Sequence, residues 1–534
     1  MSAEKKPANS NDYNTVPYIN SSHAQSQPER LYSVAKFFNM NVPDFKNARI
    51  LELGCASGSN IIPIATNFPD TKIVGVDLSS VQIDNGQKEI DELGLKNIEL
   101  KQMSISDIDE NFGTFDYIIV HGVLSWVPTD VQDKIFEICN KNLSKNGLAY
   151  ISYNTLPGWN MVQSIRDMML YHTENFDNPA DKVHQARLVL NFIRDANENS
   201  DTPYTNLIRN EVKLLENQPD AYLAHDHLEE NNKSFYFYEF MKKADDNNLR
   251  YVGDSEIQTM FVGNLPENVT SILSQTSNDV VRTEQYMDFI RNRRFRASII
   301  CHKENEVNRT IVPDNINGFY LSTTLILKDE ENTGFDKFIK SGNKEEASFI
   351  NPISGDEAFR TTNPLMIAAM RILHNQNKKP ILIDEIIEKA RQELKDSNCT
   401  GYESVDIRPD LQRLILAGSV KFYSHDYDFV NTVSEKPKAS ELIRNHVRTR
   451  TNVTNQLNAS VTLDLFGRVL VSYLDGSNDL EKLTDFIISH AEKGELNVNI
   501  DGKKIEDAEV LRNVTKQLIQ RQLQVFAANA ILVA

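Results

Sequence analysis

A chain of 534 residues is too long for one hydrophobic core and calls for about three or four domains. Its 57 Lys and Arg against 75 Asp and Glu leave a net charge of −18. That balance argues against broad binding to nucleic acid or an anionic membrane and favours encounter with lysine-rich partners. Four scattered cysteines (Cys55, Cys139, Cys301, Cys399) exclude a disulfide framework and a structural zinc site. No window approaches the ~18 apolar residues that span a bilayer, and Met1–Asn14 lacks the apolar core of a signal peptide. The expectation is a cytoplasmic chain that holds no metal and contacts no membrane.

Residues 1–36 read as a polar arm followed by a first helix. Tyr13, Pro17, Tyr18 and Ile19 interrupt the arm as anchors, and Pro28 opens the helix, whose apolar face is Leu31, Val34, Ala35 and Phe38. From 48 to 154 the pattern alternates. Strands are predicted at 49–53, 72–77, 97–102, 115–120 and 148–153, with helices at 59–67, 80–93 and 130–142. Short apolar runs separated by amphipathic helices predict a parallel, doubly wound α/β sheet, whose ligands sit beyond the carboxyl ends of the strands.

The alternation stops at Pro157-Gly158-Trp159. Residues 160–217 are almost continuously helical, and sheet logic returns with Phe237–Met241 (helix), 249–254 and 297–301 (strands). A catalytic domain of residues 37–160 plus 235–305 is therefore predicted to carry a helical insertion, 161–234, of a size to make a lid or a dimer face. Residues 305–360 read as irregular. Helices at 365–374, 383–394 and 409–417, then a strand pair at 419–423 and 429–430, predict a winged-helix-like middle domain, 306–436. Its second helix begins Asp384-Glu385, which repels phosphate and disfavours DNA binding. A C-terminal α+β domain, 437–534, follows.

The chemistry concentrates at Ile50–Asn60. An apolar strand ends at Gly54, Gly58 follows, and a helix resumes at Ile61, so backbone N–H groups point at a closely approaching ligand. Such a turn admits FAD, NAD or S-adenosylmethionine. The dinucleotide pattern G-x-G-x-x-G is absent, because Ala56 stands at the second glycine in Gly54-Cys55-Ala56-Ser57-Gly58. Glu52, inside the strand end, would repel a pyrophosphate but suits an ammonium group. Asp77, ending the second strand, can accept from both ribose hydroxyls. Ser104 and Ile105 follow the third strand where an adenine edge belongs, and His121 and Gly122 follow the fourth. Cys55, Asn60, Leu78 and Gln82 complete the expected cofactor contacts. This ordered set favours the methyl donor, S-adenosylmethionine.

Glu52–Asn60, Val76–Ser79, Phe115–Pro128, Ser152–Trp159, Tyr222–Glu229, Glu284–Phe289, Arg293–Arg296 and Leu474–Gly476 together resemble a bacterial methyltransferase family with an appended methyltransferase-regulatory domain. That family includes the rickettsial lysine methyltransferases acting on outer-membrane proteins. Two departures stand out: Leu124 where relatives often have tyrosine, and Ser104 where many methyltransferases carry an acidic residue. The resemblance implies a class I, Rossmann-like methyltransferase whose substrate is a lysine-containing outer-membrane or surface protein; separately, the helical insertion makes a homodimer one of the expected assemblies.

In-line displacement at a sulfonium requires positioning and a neutral nucleophile, and needs neither a metal nor a covalent intermediate. Tyr18, Trp126, Tyr153 and Trp159 are expected to offer aromatic faces to the amine, Asn154 to orient it, and His121 to accept a proton or contact the donor. His225 and His227 alternate without a third ligand and read as structural. Two other functions remain open at this point: methylation of a small molecule, and a regulatory protein that binds the nucleoside without catalysis.

Overall fold

A computed structural model describes residues 21–229, 231–276, 279–328, 330–500, 503–505 and 507–534. Tyr18 and the rest of the arm lie outside the described residues. The chain divides into two compact units.

The first unit, which includes residues 40–307, is built on a seven-stranded sheet. Its strands are β1 (Arg49–Leu53), β2 (Lys72–Asp77), β3 (Ile98–Gln102), β4 (Phe115–Val120), β5 (Leu143–Asn154), β6 (Leu249–Asp254) and β7 (Phe295–His302), in spatial order β3-β2-β1-β4-β5-β7-β6. The first five run parallel, and β7 lies antiparallel between β5 and β6. Ile50, Leu51 and Leu53 are fully buried, as a strand covered on both faces demands. The strand order reverses between β1 and β4, so the crevice beyond their carboxyl ends is the switch point of the sheet. Gly54 and His121 lie at those two ends.

The residues read as one helical run form three helices, Gly158–Thr173, Pro179–Ala196 and Pro203–Glu216. The breaks are local. Asn178 caps the second helix, and Thr202 caps the third through a reciprocal pair with Thr205; each is followed by proline at the first helical position. Ile165, Met169, Val183, Leu190, Ile208, Val212 and Leu223 give these helices their own core. At the sheet edge, Arg296 on β7 is completely buried. It pairs with Glu284 and Asp288 at 2.8 Å and Asp254 at 3.3 Å, and stacks 4.0 Å over Phe237. One buried cation facing three carboxylates ties β6, β7 and helix Val280–Arg291 together.

The second unit joins residues 21–39, including helix Pro28–Phe37, to 308–534. The stretch read as irregular holds β8 (Tyr320–Thr323), β9 (Ile326–Leu327), helix Glu330–Ser341, β10 (Ala347–Ile350) and β11 (Glu357–Thr361). The strand pair at 419–423 and 429–430 is corrected. Val420–Tyr423 (β13) pairs with β8, which also pairs with β12 (Ile381–Leu382). Phe429 packs instead with Tyr427 and Ala530, and the Val430 N–H donates to Leu532 O at 2.9 Å. The pairing partner lies some hundred residues upstream, beyond the reach of local pattern. Residues 439–532 enclose a separate core around Leu470, Leu483, Ile519 and Phe526.

Candidate active site

The turn after β1 is held open by backbone conformation. Gly54, Ala56 and Gly58 have φ of 72°, 47° and 74°. A Cβ on Gly54 would lie 2.5 Å from Val123 Cγ2, so only glycine lets the β1 and β4 ends approach this closely. The Gly54 and Cys55 N–H groups donate to Val76 O at 2.8 and 3.0 Å, locking the turn to β2. The Asp77 carboxylate accepts from Ala56 N at 2.8 Å and Ser79 N at 2.9 Å, joining the glycine turn to the start of helix Ser80–Glu92. Burial raises its pKa, against the pull of those N–H groups.

Glu52 is 3% exposed. Its Oε1 accepts from Asn60 Nδ2 at 2.7 Å, while its Oε2 is buried without a hydrogen-bond partner. Burial pushes this carboxyl from its ordinary value near 4.5 up to about 8; the Asn60 bond opposes the rise and the Asp77 charge adds to it. Gln82 Oε1 is likewise buried and unpartnered. Orphaned buried acceptors are costly unless a ligand completes them, and both belong to the expected donor contacts. These orphaned acceptors suit an aminoacyl nucleoside, whose ammonium, ribose hydroxyls and base are the groups expected at Glu52, Asp77 and exposed Leu78. Ser104 Oγ accepts from Ser106 N at 3.2 Å and so caps the short turn Ile105–Asp107, next to the expected adenine side. Cys55 is buried, its thiol pushed up by burial and by the Glu52 and Asp77 charges, and serves as packing.

On the other side of the crevice, His121 Nδ1 lies 3.0 Å from the Tyr150 hydroxyl and its ring stacks on Tyr150. Ser152 Oγ accepts from Gly122 N at 2.8 Å. Tyr150, Ser152 and Asn154 therefore belong to the same face of β5, and period two sends Tyr153 to the other. There Tyr153 stacks on Phe240 at 4.2 Å, lies 1% exposed and meets Ser298 Oγ at 3.2 Å. Its assignment to the acceptor pocket is corrected: the ring is core.

Trp126, Asn154 and Trp159 do converge. The two indoles meet edge to face at 6.0 Å, and Asn154 N donates to Ser125 Oγ at 2.9 Å. Asn154 Nδ2 lies within 3.5 Å of Asn232 Oδ1. Ser125, Ser152 and Asn232 went unread. The two serines lie inside the segments that carry the resemblance; Asn232 sits in a polar connection with no signal of its own.

A methyltransferase-domain model matches residues 44–213, a model described as a predicted methyltransferase regulatory domain matches 219–302, and one described as the C-terminal winged-helix domain of PKMT matches 435–531. The structure of PKMT2 from Rickettsia typhi is 35% identical and superposes with a TM-score of 0.86 over 97% of this chain and 100% of that one. The chain belongs to the PKMT family. The complex of PKMT2 with AdoHcy matches equally, with a TM-score of 0.86 at 36% identity. An uncharacterised protein of Rickettsia prowazekii is 42% identical over 98% of this chain and 94% of its own length. A second from that organism is 46% identical over 45% of this chain and 96% of its own.

The chain is thus a class I, S-adenosylmethionine-dependent methyltransferase of that family. Its winged-helix match falls at 435–531, whereas the sequence pattern suggested that architecture at 306–436. Among the described residues no helix is long and apolar enough to cross a membrane.

Proposed function

We propose that the enzyme methylates lysine ε-amines of an outer-membrane or surface protein by direct in-line displacement, before that protein leaves the cytoplasm. The observation that carries the acceptor assignment is the Trp126–Trp159 pair beside Asn154, next to a cradle complementary to the donor. A lysine at its usual pKa near 10.4 is neutral in only about one molecule in 2,500 at pH 7. Desolvation against indole faces lowers that pKa, and the same faces tolerate the cationic product. The bound donor supplies an electrophilic methyl group, and the protein supplies orientation and exclusion of water. His121, which follows β4 and whose Nδ1 lies 3.0 Å from the Tyr150 hydroxyl, contacts the donor or accepts the proton in this reading. The whole-chain likeness to PKMT2 supports a protein acceptor, and the resemblance to enzymes acting on outer-membrane proteins supports its class.

Incubation with labelled donor and unfolded outer-membrane proteins, followed by peptide mass spectrometry, tests this reading. Label on lysine is expected. Label confined to small molecules, or donor binding without transfer, would overturn it.

A further inference from the structure

The helical insertion ends in a turn that the donor cradle does not use. Helix Asp220–Tyr222 runs into a widened turn, Leu223–His227, closed by Leu228 N donating to Leu223 O at 3.0 Å, five residues back. Turns of this kind insert one extra residue into a helix, re-aim the side chains and recur at functional sites. Here they re-aim an aromatic series. The Tyr222 ring lies 5.6 Å from His227, His227 stacks on Trp159 at 6.4 Å, and Trp159 meets Trp126.

Two polar features of this turn have no structural account. His227 is 3% exposed, its Nδ1 has no hydrogen-bond partner, and burial pushes its pKa down to about 4, so the imidazole is neutral. Asp226 is half-buried and has no ion pair or hydrogen bond among the described residues. Burial alone pushes its carboxyl up to about 7, and its charge contributes to the raised phenol pKa of Tyr222. A desolvated, unpaired carboxylate is costly and is retained where a cation completes it.

We propose that Asp226, Tyr222, Trp159 and Trp126 form a cage for the alkylammonium of the acceptor side chain, with His227 fixing the Trp159 face. This rests on the lysine reading above and extends it from the crevice to the insertion. Aromatic faces and a counter-ion are the chemistry by which ammonium and methylammonium groups are recognised. Each methylated product remains a cation of the same class, so the cage serves successive transfers. The site takes lysine and its methylated forms; a neutral amide of equal length lacks the charge that Asp226 answers.

Trp126 and Trp159 are the chain's two tryptophans, so fluorescence excited selectively at tryptophan, beyond the absorption of the 18 tyrosines, reports on this cage. The full-length enzyme, saturated with AdoHcy, is titrated to about 100 mM with Nα-acetyl-lysine amide, its Nε-trimethyl form and the uncharged Nα-acetyl-norleucine amide, which lacks only the terminal amine. Saturable changes with the two cations, absent with norleucine, are expected. Asp226→Asn should weaken the cation response at least tenfold and raise KM for a lysine-containing protein acceptor with little change in kcat. Asp226→Glu should restore part of the response. AdoHcy affinity and thermal unfolding, measured on each variant, confirm an intact fold. No response in the wild type, or an undiminished one in a folded Asp226→Asn variant, overturns the cage. If such an enzyme still labels lysine, the proposed function stands without it; if no lysine is labelled while cations bind, that function falls and the cage does not.

Discussion

Glu52→Gln probes the donor cradle at its most constrained atom. The wild-type carboxyl stands at about 8, so at pH 7 about nine-tenths of it is protonated in the free enzyme. An ammonium brought to the unpartnered Oε2 favours the ionised form and expels that proton. Donor binding at pH 7 should therefore release about 0.9 proton. The same shift acts on folding. An unfolded Glu52 loses its proton near 4.5, whereas the native group holds it to about 8. Its contribution is thus fully present below pH 4.5 and is lost as pH rises toward 8, costing the free enzyme about 3 kcal/mol at pH 7. Glutamine keeps the shape and the Asn60 contact and cannot titrate. Calorimetric titration with S-adenosylmethionine in buffers of different ionisation enthalpy counts the protons, and denaturant unfolding at pH 5 and pH 7 follows the stability. Release should vanish in Glu52→Gln, and the variant should gain on the wild type as pH rises. Equal proton release by both proteins, with a pH-independent stability difference, would refute the assignment.

Asp77→Ala removes the acceptor of two N–H groups, at 2.8 and 2.9 Å, together with the proposed ribose contact. Donor affinity measured by calorimetry should fall at least tenfold, since each charge-assisted bond contributes about 1.5–3 kcal/mol; unchanged affinity would remove Asp77 from the site. Gly54→Ala drives a methyl into Val123 at a positive φ, so donor binding should be lost, and Val123→Ala in the same chain should recover part of it. Tyr153→Phe gives up one hydroxyl contact with Ser298 inside the core and should cost about 1 kcal/mol of stability with kcat unchanged. A tenfold fall in kcat would return Tyr153 to the acceptor pocket.

The donor half of the site is legible in sequence because its residues follow strand ends, and strand ends are marked by short apolar runs. Glu52, Gly54, Gly58 and Asp77 are placed by that rule alone. The acceptor half obeys no such rule. Tyr153 and Asn154 are neighbours in sequence and point to opposite faces of β5, and the choice between them depends on which face helix Phe237–Asp246 covers. His227 reaches Trp159, and Tyr222 reaches His227, where a turn widened by one residue ends the insertion.

Composition and periodicity determined the α/β class, the inserted helices and the family of ligand, since burial of one face imposes its period on the chain. They also placed Pro28–Phe37 as a helix, but not its membership of the second unit. Tertiary structure decided that membership, the β13–β8 pairing and which faces of β5 Tyr153 and Asn154 occupy. Each joins residues far apart in the chain, and a contact paid for by loop closure leaves no mark on the local pattern at either end.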